Sequence, residues 1–492
     1  MRAVIRLMLL VTALLGARAA AAPAITVSDV PSPAANGAHS PWLTTGPDGT
    51  IWLSWVEPGA SDVATLRGAR FDAPARRWGP ARTIATGPAI GTEWDNPPQL
   101  TIDGNRRIFA TWTDHRGAAF VRESTDGGQT WNTTSSWTGT ARDVGKIALA
   151  RLAGGGILAA WLDAEGGSDA RANLCARLPA SAEAARLAAP VSRRSHPAIA
   201  PFLDGGALVA CRTWKADGTD EVRVVRLVDG CGTPAKTLAA DEWRVASAPE
   251  NGIALASDGS RVAAAWFTGA DDDPRILVSY SPDAGGRWLM PLRVSQGRPG
   301  GHPGAVLLRD GTIIVCWLEA DGSAWLRRIN PDYSADDPAR LAAPGTVPLA
   351  QLPQLALLRD YAGAKDSAEL VVAYVTTGHR GPESVGRLAT QHVLIPEGEL
   401  VAAATTCGCA PMPEELRGFS IRGNVLRLDP AGGAAEVRHR EVPGVFAAGT
   451  GWFAVTPEVR RTIEPGREFL GRIEYRDDRW WLFDLRVLAL PP

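Results

Sequence analysis

The stretch HPGAVLLRDGTIIVCW, residues 302–317, holds two apolar runs that flank the dipeptide Asp310-Gly311. An Asp-Gly pair between two strand-forming runs is the strongest short-range signal for a β-hairpin. The same layout recurs along the chain, and each copy ends in an aromatic residue or a Cys. The closing residues are 49–57 positions apart, and they are Trp55, Trp112, Trp161, Cys211, Trp266, Trp317 and Tyr374. Each repeat is therefore predicted to begin with a β-hairpin.

A repeat of this length, built from strands and without a long amphipathic helix, is typical of a β-propeller. We count seven units, and six is the alternative if one degenerate unit is an insertion. Residues 24–30, AITVSDV, read as a strand ahead of the first unit, and we expect this strand to close the ring. The sequence thus predicts an all-β fold with a propeller over residues 22–400.

Two further turns share one spacing, RESTDGGQTWN at 122–132 and SPDAGGRW at 281–288. Each is expected between the third and fourth strands of its unit, where the Asp accepts hydrogen bonds from the backbone of its own turn. The Trp is expected to pack against a neighbouring sheet, so these turns have a folding role away from any ligand. The residues concerned are Ser124, Asp126, Gly128 and Trp131 in the first turn, and Ser281, Asp283, Gly285 and Trp288 in the second.

This S-x-D-x-G-x-x-W pattern resembles the Asp-box of the sialidase family, and the resemblance covers roughly residues 24–400. It implies a sialidase-like propeller. In that family three Arg clamp a carboxylate, and a Tyr–Glu pair and an Asp carry the chemistry. Here His39 stands near the place of the first Arg, Glu250 stands near the place of the Glu, and no Tyr can be assigned as nucleophile. We therefore expect a non-catalytic protein, and a glycoside hydrolase acting through Glu250 is the alternative.

The residue just before the predicted first strand of each unit is polar. These residues are His39, Asn96, Lys146, His196, Asn251, His302 and Gln351. Because the innermost strands of a propeller surround the central channel, the side chains are predicted to form one ring that binds a metal or a polar ligand. The alternative is that they only cap the strands.

A second series lies two residues beyond the closing residues, and it comprises Glu57, Asp114, Asp163, Thr213, Thr268, Glu319 and Thr376. We interpret these mainly as solvated strand ends, and a cation site that uses the four carboxylates of the series is the alternative.

The repeat stops near residue 400. Residues 401–416 form a linker rich in small residues, and residues 417–492 alternate like five short strands, which predicts a small barrel of the oligonucleotide/oligosaccharide-binding (OB) shape. RGNVLRLD, EVPGVFAAGTGWFAV and DRWWLFDLRVL resemble the periplasmic copper-binding domains of copper-efflux systems. That family implies a Cu(I) site of Met thioethers and a His. Here the His is present as His439, but Phe446, Gly449 and Gly451 occupy the Met places.

The segment CGCAPM offers a substitute set of soft ligands in Cys407, Cys409 and Met412. Two thiolates and a thioether suit Cu(I) or Zn²⁺, and together with His439 they form a hypothetical metal site. A disulfide is an equally good interpretation of the two Cys. Copper is the cofactor that the family resemblance implies.

The ends and the overall charge limit the function class. Residues 1–21 read as a signal peptide cleaved near residues 19–22, so we expect a periplasmic or secreted protein. The 492 residues carry a net charge of −2, which argues against nucleic-acid binding. No later apolar run is long enough to span a membrane.

The leading hypothesis is an exported binding protein for a small ligand, a glycan or a periplasmic protein. A Cu(I) carrier that uses the Cys-x-Cys loop is a further alternative.

Overall fold

The computed structural model describes residues 24–487 apart from 61–62, 89, 91–95, 115, 134–136, 139–143, 165–170, 179–183, 216, 229–230, 246–249, 350, 361–366, 378–385, 397–418, 430–432, 441–448 and 477–478. Seven antiparallel sheets follow one another along the chain, and each contains four or five strands. Consecutive strands are hydrogen-bonded neighbours within each sheet, and the strands run outward from the first. This arrangement confirms the seven-bladed propeller.

The blades are numbered along the chain, and their strands are given from inside to outside. Blade 1 contains β2 (His39–Thr45), β3 (Ile51–Pro58), β4 (Ala64–Asp72), β5 (Arg77–Trp78) and β6 (Arg82–Gly87), and blade 2 contains β7 (Gln99–Ile102), β8 (Ile108–Thr113), β9 (Ala119–Ser124) and β10 (Asn132–Thr133). Blade 3 contains β11 (Val144–Arg151), β12 (Ile157–Asp163), β13 (Arg171–Arg177) and β14 (Ala185–Ser192), and blade 4 contains β15 (Ala198–Pro201), β16 (Ala207–Trp214), β17 (Thr219–Val228), β18 (Cys231–Gly232) and β19 (Lys236–Arg244).

The remaining blades follow the same plan. Blade 5 contains β20 (Ile253–Ser257), β21 (Val262–Thr268), β22 (Arg275–Ser281) and β23 (Leu292–Arg293), with a short 3₁₀ turn at Ala270–Asp272. Blade 6 contains β24 (Pro299–Leu307), β25 (Ile313–Glu319), β26 (Ala324–Ile329) and β27 (Ala339–Ala342), and blade 7 contains β28 (Gln354–Arg359), β29 (Ser367–Thr376) and β30 (Arg387–Pro396).

The N-terminal strand β1 (Thr26–Val30) completes blade 7. It pairs antiparallel with β30, with Thr26 opposite Leu394 and Val30 opposite Thr390. The first and last repeats are thereby joined by backbone hydrogen bonds, as the sequence predicted. A sheet ring closed in this way has no unpaired gap between its ends.

The hydrophobic core of the propeller lies between adjacent blades. The second strand of each blade is buried on both faces, and its closing Trp is almost fully shielded in four blades, at Trp55, Trp161, Trp266 and Trp317. Each of these indoles lies in a cluster that joins two neighbouring sheets. Burying a large aromatic side chain contributes roughly 2–3 kcal/mol, so the repeated Trp stabilises every blade contact it occupies.

The C-terminal domain is a closed barrel in the order β31-β32-β33-β35-β34. Its strands are β31 (Phe419–Leu428), β32 (Ala434–His439), β33 (Gly449–Val455), β34 (Glu468–Arg476) and β35 (Arg479–Val487), and helix α1 (Pro457–Thr462) follows β33. The first strand pairs with the second and with the fourth, which confirms the predicted five-stranded OB-like barrel. In the described part of the chain, the helices are too short or too polar to cross a bilayer.

Candidate functional site

The strand registers show which strand ends lie on the same side of the propeller. His39 of blade 1 pairs with Val56, and Pro299 of blade 6 pairs with Glu319. The start of the first strand therefore lies beside the end of the second, and we call this side of the propeller the ring edge. The opposite side carries the Asp-Gly hairpins and the two Asp-box turns, and we call it the turn edge. Both polar series predicted from the sequence lie at the ring edge.

Several ring positions tie neighbouring blades together. The Asn96 amide donates to Thr113 Oγ1 at 2.7 Å and to the Gly145 carbonyl at 3.3 Å. Gln99, which is 1% exposed, donates to the carbonyl oxygen of Ile147 and approaches His196 Nε2 at 3.3 Å. These bonds link blades 2, 3 and 4, so part of the predicted ligand ring has a structural role that sequence inspection alone missed.

Asn251 has the same linking role between blades 4, 5 and 6. Its backbone carbonyl accepts from Ser195 Oγ and Arg212 Nε, and its Oδ1 accepts the His302 N–H at 3.1 Å. Gly301, at φ +114°, lies so close to the Asn251 amide that a Cβ would overlap it. The glycine therefore lets blade 6 approach blade 5 at the channel.

One ring residue, His302, and the neighbour of another, Ser40, have left-handed backbone. Ser40 has φ +52° and His302 has φ +56°, and both lie in β-bulges of the innermost strands. Bulges redirect side chains and are common beside functional sites. His39 is hydrogen-bonded to Ser40 Oγ at 2.9 Å, and burial lowers its pKa, so its imidazole is neutral near pH 7. Lys146 and His302 are buried, and Gln351 is half-buried.

Among the described residues, no group of three or more His, Cys, Asp or Glu side chains is arranged to hold a metal. The ring of His39, His196 and His302 is thus not gathered into one coordination site. Binding of a polar ligand by the ring stays a prediction.

The residues expected of a sialidase are engaged elsewhere. Glu250 is 44% exposed and pairs with Arg194 at 3.6 Å. The Arg212 guanidinium, 2% exposed, is paired with Asp220 inside blade 4 and donates to backbone carbonyls of blade 5. It is therefore not free to clamp a ligand carboxylate.

The Tyr side chains described in the propeller belong to its core. Tyr333 donates to the Val278 carbonyl at 2.8 Å, and Tyr374 donates to the Leu341 carbonyl at 3.2 Å. Burial raises the pKa of Tyr374 to about 12 and also raises that of Tyr280. Phenols in these surroundings are poor nucleophiles.

The Asp-box turns form hydrogen-bonded loops at the turn edge. In blade 2, Ser124 Oγ donates to Asp126 and accepts from the Gly128 N–H, both at 2.8 Å. The hydroxyl and N–H of Thr130 also donate to Asp126 and hold the pKa of that carboxyl well below its usual range. Trp131 then packs into the cluster between blades 1 and 2.

The second Asp-box repeats this bonding in blade 5. Ser281 Oγ donates to Asp283 at 3.0 Å, and Gly285 N–H donates to Ser281 at 2.8 Å. Trp288 packs in the cluster between blades 4 and 5.

The predicted metal ligands of the C-terminal part are only partly described. Cys407, Cys409, Met412 and Phe446 lie outside the described residues. His439 is buried in the barrel, where Nδ1 bonds to the Arg440 carbonyl at 2.9 Å and the ring meets Phe453 edge to face. Gly451 lies beside its Nε2. A Cu(I) site there stays a prediction.

The sequence interpretation missed a cavity of about 520 Å³ at the ring edge, lined by blade 6 and by the segment that leads into it from blade 5. We call it the blade-5/6 cleft, and it is lined by Gln296, Gly297, Arg298, Trp317, Glu319, Ala320, Asp321, Ser323, Trp325 and Pro338. Glu319 Oε1 accepts the Trp317 indole N–H at 2.7 Å, and burial raises the pKa of Glu319 above its ordinary value. Trp325 is half-buried, and its N–H donates to Ser323 Oγ at 2.8 Å.

Blade 1 contains the same Trp-x-Glu arrangement with a different neighbour. Trp55 donates to Glu57 at 2.9 Å, and Arg67 donates to the other oxygen of Glu57 at 3.0 Å. Burial acts to raise the pKa of Glu57, but the bonds from Trp55, the Ala35 N–H and Arg67 outweigh it and hold the pKa below its ordinary value. Arg67 is the cross-strand partner of the closing Trp in blade 1, and Trp325 has that place in blade 6.

Comparison with solved structures agrees with this architecture. A lectin from Burkholderia pseudomallei superimposes with a TM-score of 0.51 at 13% identity, covering 71% of this chain and all of that one. A polysaccharide lyase, an ulvan lyase, gives 0.46 at 13% identity over 74% and 95% of the two chains. An intramolecular trans-sialidase from Ruminococcus gnavus gives 0.37 at 10% identity over 57% and 89%.

No protein-family model matches the sequence, and no curated protein matches it. At such low identity the first structural match supports the fold alone. The chain is therefore a seven-bladed β-propeller followed by an OB-like barrel, and its function has to be argued from its own sites.

Proposed function

We propose that the protein is a non-catalytic carbohydrate-binding propeller and that the blade-5/6 cleft holds the sugar. The observation that carries this proposal is the Trp325 indole beside the Glu319 carboxyl group in a cavity of about 520 Å³. Cavities of roughly 300–1,000 Å³ suit small ligands. The proposal agrees with the description of the Burkholderia protein as a lectin.

The chemistry of the cleft matches the two kinds of surface that a sugar presents. The C–H faces of a sugar pack against aromatic rings, and the hydroxyls of the sugar donate to carboxylates and accept from amide and guanidinium N–H groups. Trp325 supplies the ring, which its bond to Ser323 holds in place. Glu319 supplies the acceptor, and the exposed Gln296 and Arg298 supply donors at the rim.

Isothermal titration of the full chain with a panel of neutral and acidic mono- and disaccharides tests the proposal. We expect saturable binding of at least one sugar, and a loss of at least about tenfold in affinity for Trp325→Ala. Trp452→Ala is the matched control, because Trp452 is 48% exposed on the barrel. Unchanged affinity in Trp325→Ala, or no binding across the panel, would overturn the proposal.

A second variant separates loss of the site from loss of the fold. Trp325→Arg places a guanidinium where Arg67 lies in blade 1. It is expected to pair with Glu319 and fill the cleft, so that sugar binding is lost while the melting temperature is kept or raised. Loss of folding in this variant would contradict the proposed equivalence of the two blades.

A second candidate is glycoside hydrolysis in the same cleft, because two carboxyl groups, those of Glu319 and Asp321, both line it. The pKa of Glu319 is raised by burial, whereas hydrogen bonds led by that from the Ser323 hydroxyl lower the pKa of Asp321. Two carboxyl groups with opposed shifts are the pattern of a general acid and its partner. Glu319 would give its proton to the leaving oxygen as the glycosidic C–O bond breaks, and Asp321 would take a proton from the attacking water. Turnover of fluorogenic glycosides that is abolished by Glu319→Gln and Asp321→Asn would establish this alternative.

A further inference from the structure

A second cavity, of about 250 Å³, lies at the turn edge between blades 1 and 2. We call it the arginine pocket, and it is lined by Pro47, Asp48, Thr50, Trp52, Arg70, Gly79, Pro80, Arg82, Ile102, Arg106, Ile108 and Gly127. Three guanidinium groups face one carboxylate in this small volume. The pocket is remote from the ring edge, and it shares no residue with the blade-5/6 cleft.

The positive charge of the pocket is only partly compensated. Arg106 lies 4.0 Å from Asp48, at the limit of an ion pair. Hydrogen bonding, first from the side chain of Thr50, keeps the pKa of Asp48 below its ordinary value, so this carboxyl is ionised near pH 7. Within the described part of the chain, neither Arg70 nor Arg82 has a carboxylate within ion-pair distance. An excess of cations in a cleft attracts anionic ligands.

The guanidinium groups are held by only a few hydrogen bonds. Arg82 Nη1 donates to the Gly127 carbonyl at 2.8 Å, and Arg70 Nη2 approaches Thr50 Oγ1 at 3.4 Å. Each guanidinium has five N–H groups, so most of the donors of both side chains remain for a ligand. Arg106 has φ +64°, a conformation that is uncommon outside glycine and is frequent at binding sites.

The wall of the pocket is rigid. Trp52 is 6% exposed, and its ring edge touches Gly128 of the Asp-box, where a Cβ would lie only 2.9 Å from the indole. Gly128 has φ +79° and Gly127 has φ +71°, so both turn positions favour glycine. The Asp-box thus fixes the Gly127 carbonyl that receives Arg82, and the donors are arranged before any ligand arrives.

We propose that the arginine pocket binds an oxyanion carried on a body no larger than a monosaccharide, such as a sulfated or uronic sugar. A guanidinium forms paired hydrogen bonds to carboxylate and sulfate oxygens, and the apolar edge of Trp52 receives the body of the ligand. This site is additional to the proposed sugar site, and the Asp-box of blade 2 supports it in addition to shaping the hairpin.

Titration calorimetry of the full chain carrying Trp325→Ala, which removes sugar binding in the blade-5/6 cleft, tests this proposal with sodium sulfate and sodium glucuronate as probes and glucose as the neutral control. We expect saturable binding of both anions, no binding of glucose, and weakening with added sodium chloride. Arg70→Gln/Arg106→Gln should lower the affinity at least about tenfold, whereas Arg309→Gln, which removes an exposed guanidinium in blade 6, should leave it unchanged.

Asp48→Asn gives a readout that a purely structural role would not produce. The amide oxygen can still accept the Thr50 N–H that Asp48 accepts at 3.1 Å, but the opposing charge is gone. Sulfate affinity should therefore rise several-fold. Unchanged affinity in this variant, or equal weakening by Arg309→Gln, would overturn the proposal. Trp325→Ala distinguishes the two sites, since it should abolish sugar binding in the cleft and leave sulfate binding intact.

Discussion

Replacing Arg212 by Met tests whether this guanidinium belongs to the fold rather than to a ligand site. The side chain is 2% exposed and is paired with Asp220, which is 0% exposed. Its other donors reach the Asn251 carbonyl at 2.9 Å and the carbonyl of Phe267, and its plane lies over the Trp243 ring at 5.6 Å. Met keeps much of the aliphatic packing and removes the charge and all the donors.

The expected cost follows from what the substitution leaves behind. Removing one member of a buried ion pair costs about 3–5 kcal/mol, because the partner charge stays in a medium of low polarity. The Phe267 carbonyl loses a donor as well, which costs about 1–3 kcal/mol where water cannot enter, whereas the Asn251 carbonyl keeps the Ser195 hydroxyl as a donor. We therefore expect the propeller of Arg212→Met to lose at least about 3 kcal/mol of unfolding free energy.

Urea denaturation followed by Trp fluorescence measures this loss, and a double-mutant cycle assigns it. Asp220→Asn alone should also destabilise the propeller, and Arg212→Met/Asp220→Asn should recover part of the loss because no unpaired charge remains. A wild-type denaturation midpoint for Arg212→Met, combined with loss of ligand binding, would refute this reasoning and assign Arg212 to a binding site.

Three further predictions concern single groups. Because the pKa of Glu319 is raised in the folded protein, this side chain contributes its full stability below the ordinary pKa of a Glu and loses that contribution as the pH rises through the raised pKa. Glu319→Gln should therefore raise the melting temperature at pH 7 and not at pH 4. A difference in melting temperature that grows on acidification would contradict this. Ser124→Ala removes the acceptor of the buried Gly128 N–H, and differential scanning calorimetry should show a loss of about 1–3 kcal/mol, which a wild-type transition would disprove. Burial raises the pKa of the Cys316 thiol to about 12, whereas Cys231 is exposed. Iodoacetamide should therefore alkylate the native protein at Cys231 and not at Cys316. Peptide mass spectrometry measures this, and alkylation of Cys316 would contradict the prediction.

The fold could be predicted from the sequence because its signals are local. Each Asp-Gly pair specifies one hairpin, and the closing Trp marks the strand that is buried on both faces. The N-terminal segment 24–30 could be placed because a ring of hairpins needs an outer strand for its last blade. In these cases the residues that decide the structure are neighbours in the chain.

The candidate sites were harder to predict because their lining residues come from separate strands and turns. Gln296 and Trp325 line one cleft although they belong to different strands and turns, and Arg70 and Arg106 meet only because blades 1 and 2 are adjacent. The ring residues show the converse case. Asn251 has the side chain expected of a ligand-binding position, but its carbonyl and its Oδ1 accept hydrogen bonds from the neighbouring blades. No periodicity in the sequence distinguishes a residue that binds a ligand from one that links blades.

Blades 1 and 6 place the same Trp-x-Glu arrangement in different surroundings. Both place a Glu two residues after a buried Trp, and in both the indole N–H holds one carboxyl oxygen. In blade 1 the cross-strand residue is Arg67, which donates to the second oxygen and favours the ionised form. In blade 6 that residue is Trp325, so the carboxyl group faces a cavity and an aromatic ring, and its pKa moves the other way. The residue opposite the closing Trp therefore changes the surroundings of this Glu, since Arg67 pairs with Glu57 in blade 1 and Trp325 lines the cleft beside Glu319 in blade 6.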